Sequence, residues 1–91
     1  HLGKVDEAEL HLKAVLSLQP DNLHAKGTLA MNYLAAKRFD DAEAMFRDML
    51  EQSPRSPEPR FYLGQVLAMR GDFEGALECF EEVQRLQPNM P

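Results

Sequence analysis

The chain repeats itself every 34 residues. The stretch Leu23–Pro54 reads LHAKGTLAMNYLAAKRFDDAEAMFRDMLEQSP, and 34 positions later it meets PEPRFYLGQVLAMRGDFEGALECFEEVQRLQP, Pro57–Pro88. The same distance earlier, its second half meets GKVDEAELHLKAVLSLQP, Gly3–Pro20. Pro20, Pro54 and Pro88 keep the period, as do Ala8, Ala42 and Ala76. So do the large residues Leu12, Phe46 and Phe80, and the trio Val5, Phe39 and Phe73. A fixed period of this length in a helical pattern is the signature of stacked helical hairpins. Each hairpin buries only part of its apolar face alone, and its neighbours supply the rest.

The apolar spacing predicts five helices and no strand. The first runs from about Val5 to Leu18, with Val5, Ala8, Leu12, Val15, Leu16 and Leu18 apolar; His1–Gly3 is the stub of an earlier element. Asp6 and Glu7 suit the positive end of that helix, Pro20 stops it, and Asp21 and Asn22 offer a turn and a cap. The second helix, from Leu23 or His24 to Ala36, turns Ala25, Leu29, Ala30, Tyr33 and Leu34 inward. Gly27 inside it costs about 1 kcal/mol relative to alanine, which suggests close packing or an open groove there. Lys37–Phe39 make a tight connection. Asp40 and Asp41 open the third helix, which buries Ala42, Met45, Phe46, Met49 and Leu50 before Gln52.

Ser53–Pro59, SPRSPEP, has the composition of a linker. The period reads it differently. Pro54 ends one helix, Ser56 can cap the next, and Pro57 takes the first helical position, where no backbone donor is lost. The fourth helix carries Phe61, Tyr62, Leu63, Val66 and Leu67 to about Met69, with Gly64 at an expected close crossing. Gly71 suits a left-handed cap. The fifth helix, Glu74 to Leu86, is expected to bury Ala76, Leu77, Phe80 and Val83, with Pro88 after it. One domain therefore divides into residues 1–22, the second helix of a truncated repeat, and two full repeats, 23–56 and 57–90.

Charge and composition narrow the function. Ten basic and 15 acidic residues leave a formal charge of −5, which repels phosphate backbones and argues against a nucleic-acid partner. No apolar run approaches the roughly 18 residues of a membrane span. A single cysteine, Cys79, excludes an internal disulfide. The chain opens partway through a repeat and reads as a piece of something longer. No catalytic constellation emerges, and no cofactor or metal is expected. His11 and His24 lie on different helices without partners at ligand spacing. Cys79 has acidic neighbours in Glu78, Glu81 and Glu82, and reads as a packing residue. Asp40–Asp41 and Asp72–Glu74 recur at helix starts, where they compensate the dipole.

These residues resemble the tetratricopeptide repeat, whose scaffold is written W-x2-LG-x2-Y, then A-x3-F-x2-A, then P. The third copy matches through Leu63-Gly64, Leu67, Gly71-Asp72, Ala76, Phe80, Val83 and Pro88. The second matches through Leu29-Ala30, Tyr33, Phe39, Ala42, Phe46, Met49 and Pro54, and the half-repeat through Gly3, Ala8, Leu12, Val15 and Pro20. Lys26 and Arg60 stand where the family has tryptophan. The resemblance implies an all-α, right-handed superhelical solenoid of antiparallel helix pairs. First helices would line a concave groove, second helices would form the convex back, and the role would be to hold peptides or other proteins.

Carried onto this chain, the pattern puts His24, Gly27, Met31, Leu34 and Ala35 on the groove from the second helix. Glu58, Phe61, Gln65, Ala68 and Met69 join them from the fourth. Members that clamp a terminal carboxylate use lysine, asparagine and arginine there. This chain departs from them with Gly27, Thr28 and Met31, and with Glu58 and Tyr62. The expected ligand is a short apolar or amphipathic segment, with Met31 and Met69 free to repack and Phe61 a rigid anchor. The alternative is a structural or regulatory spacer in a larger protein, possibly a multidomain enzyme. Neighbouring repeats or a second copy would then fill the groove. The unpaired first helix and the uncapped fifth expose apolar area, which favours homo-oligomers.

Overall fold

The computed structural model describes residues 2–87, which form five helices and no strand. They are α1 (Leu2–Leu18), α2 (Leu23–Ala35), α3 (Phe39–Gln52), α4 (Pro57–Met69) and α5 (Phe73–Leu86). Each helix packs on the next, so α2/α3 and α4/α5 are stacked hairpins and α1 lies against the first of them. The chain is an all-α helical solenoid.

Small residues set how closely the helices approach. Ala42 and Ala30 are fully buried, and Ala76 is nearly so. A Cβ added at Gly64 would stand 2.7 Å from Phe80 Cε1 and 3.1 Å from Cys79 Cβ, so α4 and α5 cross at a distance that only glycine allows. Phe46, 1% exposed, fills the space between hairpins, and its ring stacks on Tyr62 of α4 at 5.8 Å. Burying such a side chain contributes about 1.5–3 kcal/mol. Leu29, Leu50, Leu63, Val66 and Leu67 complete the same core.

The turns inside the two hairpins are copies of each other. Lys37 (φ 62°) and Gly71 (φ 87°), one period apart, both adopt the left-handed conformation. Arg38 N–H donates to the Tyr33 carbonyl at 2.8 Å, and Asp72 N–H to the Leu67 carbonyl at 2.9 Å. This is the Schellman closure of a helix end. Lysine accepts the strain that glycine avoids in the second copy. Asn22 caps α2 by accepting from Ala25 N–H at 3.0 Å, and Asp72 caps α5 by accepting from Gly75 N–H at 3.0 Å. Ser56 holds the cap position of α4 but makes no side-chain cap bond. The donor a serine cap normally reaches belongs to the third helical residue, here Pro59, which has no N–H.

Three other expectations change. The first helix begins at Leu2, not Val5, so Gly3 is helical. In the full repeats the matching residue turns one helix back on another, and here no described helix precedes it. Leu18 is 84% exposed, because it lies about 200° round the helix from Leu16, which packs on the core. Leu77 is 57% exposed. It occupies the edge of α5 that would face a following hairpin, as does exposed Phe73; its counterpart Phe39 is half-covered and packs against the core. His1, Pro88 and the expected tail lie outside the described residues, as does the side chain of Val5.

Among the charged groups Glu9 and Glu43 follow the period, while the arginines they receive, Arg38 and Arg70, stand two positions out of it. Glu9 receives Arg38 Nη1 at 2.7 Å, Lys13 Nζ at 2.9 Å and Tyr33 Oη at 3.3 Å, while the Arg38 guanidinium lies 4.5 Å from the centre of the Tyr33 ring. One repeat on, Glu43 and Asp40 receive Arg70. The third copy of this position is Leu77. Lys26 is only 6% exposed, yet its Nζ bonds Gln52 Oε1 and Asp48 Oδ2, each at 2.8 Å, and Gln52 Nε2 continues to the Asp21 carbonyl at 2.7 Å. A buried cation so paired costs little, whereas an unpaired one would cost several kcal/mol.

Gly64→Ala is expected to lower stability by about 1–3 kcal/mol through overpacking against Phe80, read as a fall in the midpoint of thermal unfolding. The hydrogen bond from Lys13, with Arg38 reinforcing it, holds the Glu9 carboxyl below the usual glutamate range against the opposing effect of burial. A depressed folded pKa means that this contribution is present above the ordinary glutamate range and is lost as pH falls through the folded value. The protection of α1 amides from exchange, relative to their intrinsic rates, should therefore fall on acidification before that of α4 amides does. Glu9→Gln should flatten that difference, and equal acid sensitivity in α1 and α4 would contradict it.

Candidate functional site

Two clefts open on the side of the stack lined by α2 and α4. The first, about 530 Å3, lies between the hairpins, with His24, Gly27 and Met31 on α2, Met49 on α3, and Glu58 and Tyr62 on α4. The second, about 450 Å3, lies along α4 and α5, lined by Pro57, Glu58, Phe61, Tyr62, Phe80 and Val83. The second lining is largely the first advanced by one repeat. His24 becomes Glu58, Gly27 becomes Phe61, Thr28 becomes Tyr62, Phe46 becomes Phe80 and Met49 becomes Val83. Glu58 and Tyr62 belong to both, so they form the wall between two adjacent subsites.

That wall is stiff. Tyr62 stacks on Phe46, meets Phe61 edge-on with centroids 5.5 Å apart, and Phe61 meets Phe80 at 5.8 Å. Four aromatic rings thus run from α3 across α4 to α5. The first cleft is open because Gly27 and Thr28 stand where the next repeat has Phe61 and Tyr62. A Cβ at Gly27 would meet only Met49 Cε, at an ordinary 3.5 Å, so this glycine leaves space and does not enforce close packing. Proline at positions 57 and 59 fixes two backbone φ angles in the first turn of α4, the turn that carries Glu58.

Of the residues expected to form the groove, His24, Gly27 and Met31 share the first cleft and Phe61 lies in the second. Leu34 is half-buried and packs on the core, outside both clefts. Gln65 is half-buried and Met69 is 58% exposed, and neither lines either cleft. Sequence reasoning placed Tyr62 at a groove position, in the departure from the carboxylate clamp, but did not assign Met49 there; Phe46, 1% exposed, lies beneath the same lining. The family pattern assigns the groove to first helices, whereas the cleft floor comes from the second helix α3.

Away from the two clefts, buried Cys79 adjoins Arg47 and Arg60. Its thiol is pushed up foremost by burial, with the two arginines opposing and Glu78 and Asp72 adding to it. Burial, more than the acidic neighbours, keeps it a thiol. Arg60 is the counterpart of Lys26, but its partners differ: Nη2 reaches the Pro54 carbonyl at 3.1 Å, while Arg85 holds Glu82, the counterpart of Asp48. Among the described residues, no group of three or more His, Cys, Asp and Glu side chains could hold a metal ion. No described helix is long and apolar enough to cross a membrane.

Known proteins match both sequence and fold. Two family profiles described as tetratricopeptide repeat match residues 28–91 and residues 1–48. Human tetratricopeptide repeat protein 7B is 28% identical over 89 residues, and human tetratricopeptide repeat protein 7A is 27% identical. Each alignment covers 98% of this chain but only 11% and 10% of the respective relative. Among solved structures, MamA AMB-1 superposes with a TM-score of 0.83 at 29% identity, covering 98% of this chain and 49% of that one. MamA 41-end from Desulfovibrio magneticus RS-1 superposes with a TM-score of 0.82 at 21% identity, covering 98% and 52%, and speaks to the fold alone.

Because the space at Gly27 is free, Gly27→Ala is expected to raise stability by about 1 kcal/mol through helix propensity, with the fold unchanged. Chemical denaturation would measure it. A loss of stability would mean that the glycine serves contacts other than those described.

Proposed function

The chain belongs to the tetratricopeptide repeat family, and from that premise we propose that it is a non-catalytic interaction scaffold holding a short apolar or amphipathic peptide across the two clefts. One observation carries this reading: two concave apolar subsites, one repeat apart, share a rigid aromatic wall. Such a wall offers a ligand aromatic surface at little cost in side-chain entropy. Met31, 40% exposed at the rim of the first cleft, can adjust to the shape of an incoming side chain. The residues proposed to meet the peptide are His24, Gly27, Met31 and Phe61, with Tyr62 between the clefts. Leu34, Gln65 and Met69 lie off this path. The chain spans about a tenth of the human relatives and about half of the MamA chains, so the partner is proposed for this segment alone.

A second reading has its own observation. Phe73 and Leu77 expose apolar surface on α5 where a further hairpin would stack. That supports a spacer role, with the stack continued by more repeats or by another copy of the chain.

Peptides selected from a randomised library should shift backbone resonances of Gly27, Met31 and Phe61, and Met31→Glu should weaken binding about tenfold or more. Shifts centred on Arg47 and Glu51 would relocate the site to the opposite surface. If no peptide binds and Leu77→Glu abolishes a concentration-dependent mass, the second reading is supported in place of the first.

A further inference from the structure

We infer that the groove selects a basic apolar peptide: one with an aliphatic or aromatic anchor for the Gly27 cleft and a lysine or arginine beside it that meets Glu58. The inference rests on the peptide-binding reading and names the chemistry of its ligand. Its starting point is where the charges lie. The clefts together contain one carboxylate, Glu58, and no lysine or arginine. The arginines 38, 47, 70 and 85 are each engaged by carboxylates, and Lys26 is buried against Asp48 and Gln52. None of these five lines either cleft.

Glu58 is exposed and, among the described residues, no ion pair or hydrogen bond engages its carboxylate. It sits in the first turn of α4, where the helix end favours the anion. Because it borders both clefts, a chain running from one to the other passes it. Tyr62, one turn further along α4, is also shared by both clefts, and Pro57 and Pro59 each line one of them. The formal charge of −5 adds a long-range field that draws basic peptides in and repels acidic ones. Gly27 supplies the other half of the selection. Its missing side chain makes the first cleft deep enough for an anchor, while Phe61 offers the second cleft a ring surface to lie on.

The test uses the whole chain and a phage-displayed library of random peptides, selected separately on wild type and on Glu58→Lys. Enriched peptides are then measured by fluorescence anisotropy, with Gly27 and Phe61 amide shifts locating each. Wild type should enrich lysine or arginine next to leucine, methionine or phenylalanine, with affinity falling as salt rises. Glu58→Gln should weaken those peptides about threefold and Glu58→Lys about tenfold, as expected for a partly exposed ion pair lost and then reversed. Selection on Glu58→Lys should shift toward acidic or neutral peptides. If binders shift Gly27 and Phe61 but carry no basic residue, or ignore Glu58→Lys, the charge preference is wrong while the groove reading stands. If binders leave Gly27 and Phe61 unmoved, or none is enriched, the groove reading fails and takes this inference with it.

Discussion

The placement of Phe46 between two hairpins holds the rest of the structure in register. Its ring is buried on all sides and stacks on Tyr62, so the first hairpin cannot slide on the second without opening a cavity. Cavities of that size cost several kcal/mol, which makes the register discrete. Small residues allow the contact. Ala42 admits the paired helix within the first hairpin, and Gly64 lets α5 press Phe80 against α4. Large and small positions alternate because each interface needs a filler and a place to put it.

Electrostatics follow the same register with less uniformity. Arginines at non-equivalent places in the second and third copies reach back to Glu9 and to Glu43 with Asp40, Glu9 and Glu43 being one period apart. These bonds lie at the edges of the seam, where solvent screens them, and they orient the hairpins more than they stabilise them. At the third position the chain substitutes Leu77, replacing a charge with an apolar side chain that is 57% exposed. Lys26 and Arg60 show a similar divergence. The first has two side-chain partners bridging α2 and α3, and the second bonds backbone in the proline-rich turn.

The two clefts arise where the repeats differ. Equivalent positions hold Gly27 and Thr28 in one copy and Phe61 and Tyr62 in the next. One surface is thus hollowed and the neighbouring one paved with rings. A strictly identical repeat would give two equal subsites. The divergence gives two unequal ones with an acidic group on their shared border.

Much of this is legible in the sequence. The period, the apolar spacing and the punctuation by Pro54, Pro57 and Gly71 specify five helices, their pairing and most of the buried set, because these depend on local geometry and on a pattern repeated in phase. Tertiary structure decided what depends on neighbours. Leu77 and Phe46 are both large and apolar on second helices, yet one is exposed and the other sealed, according to whether another hairpin stacks there. The cleft floor at Met49, the separation of Leu34 and Met69 from the clefts, and the missing cap bond at Ser56 likewise belong to the folded arrangement. A residue's type and phase determine which face of a helix it takes. What covers that face is set by the elements packed around it.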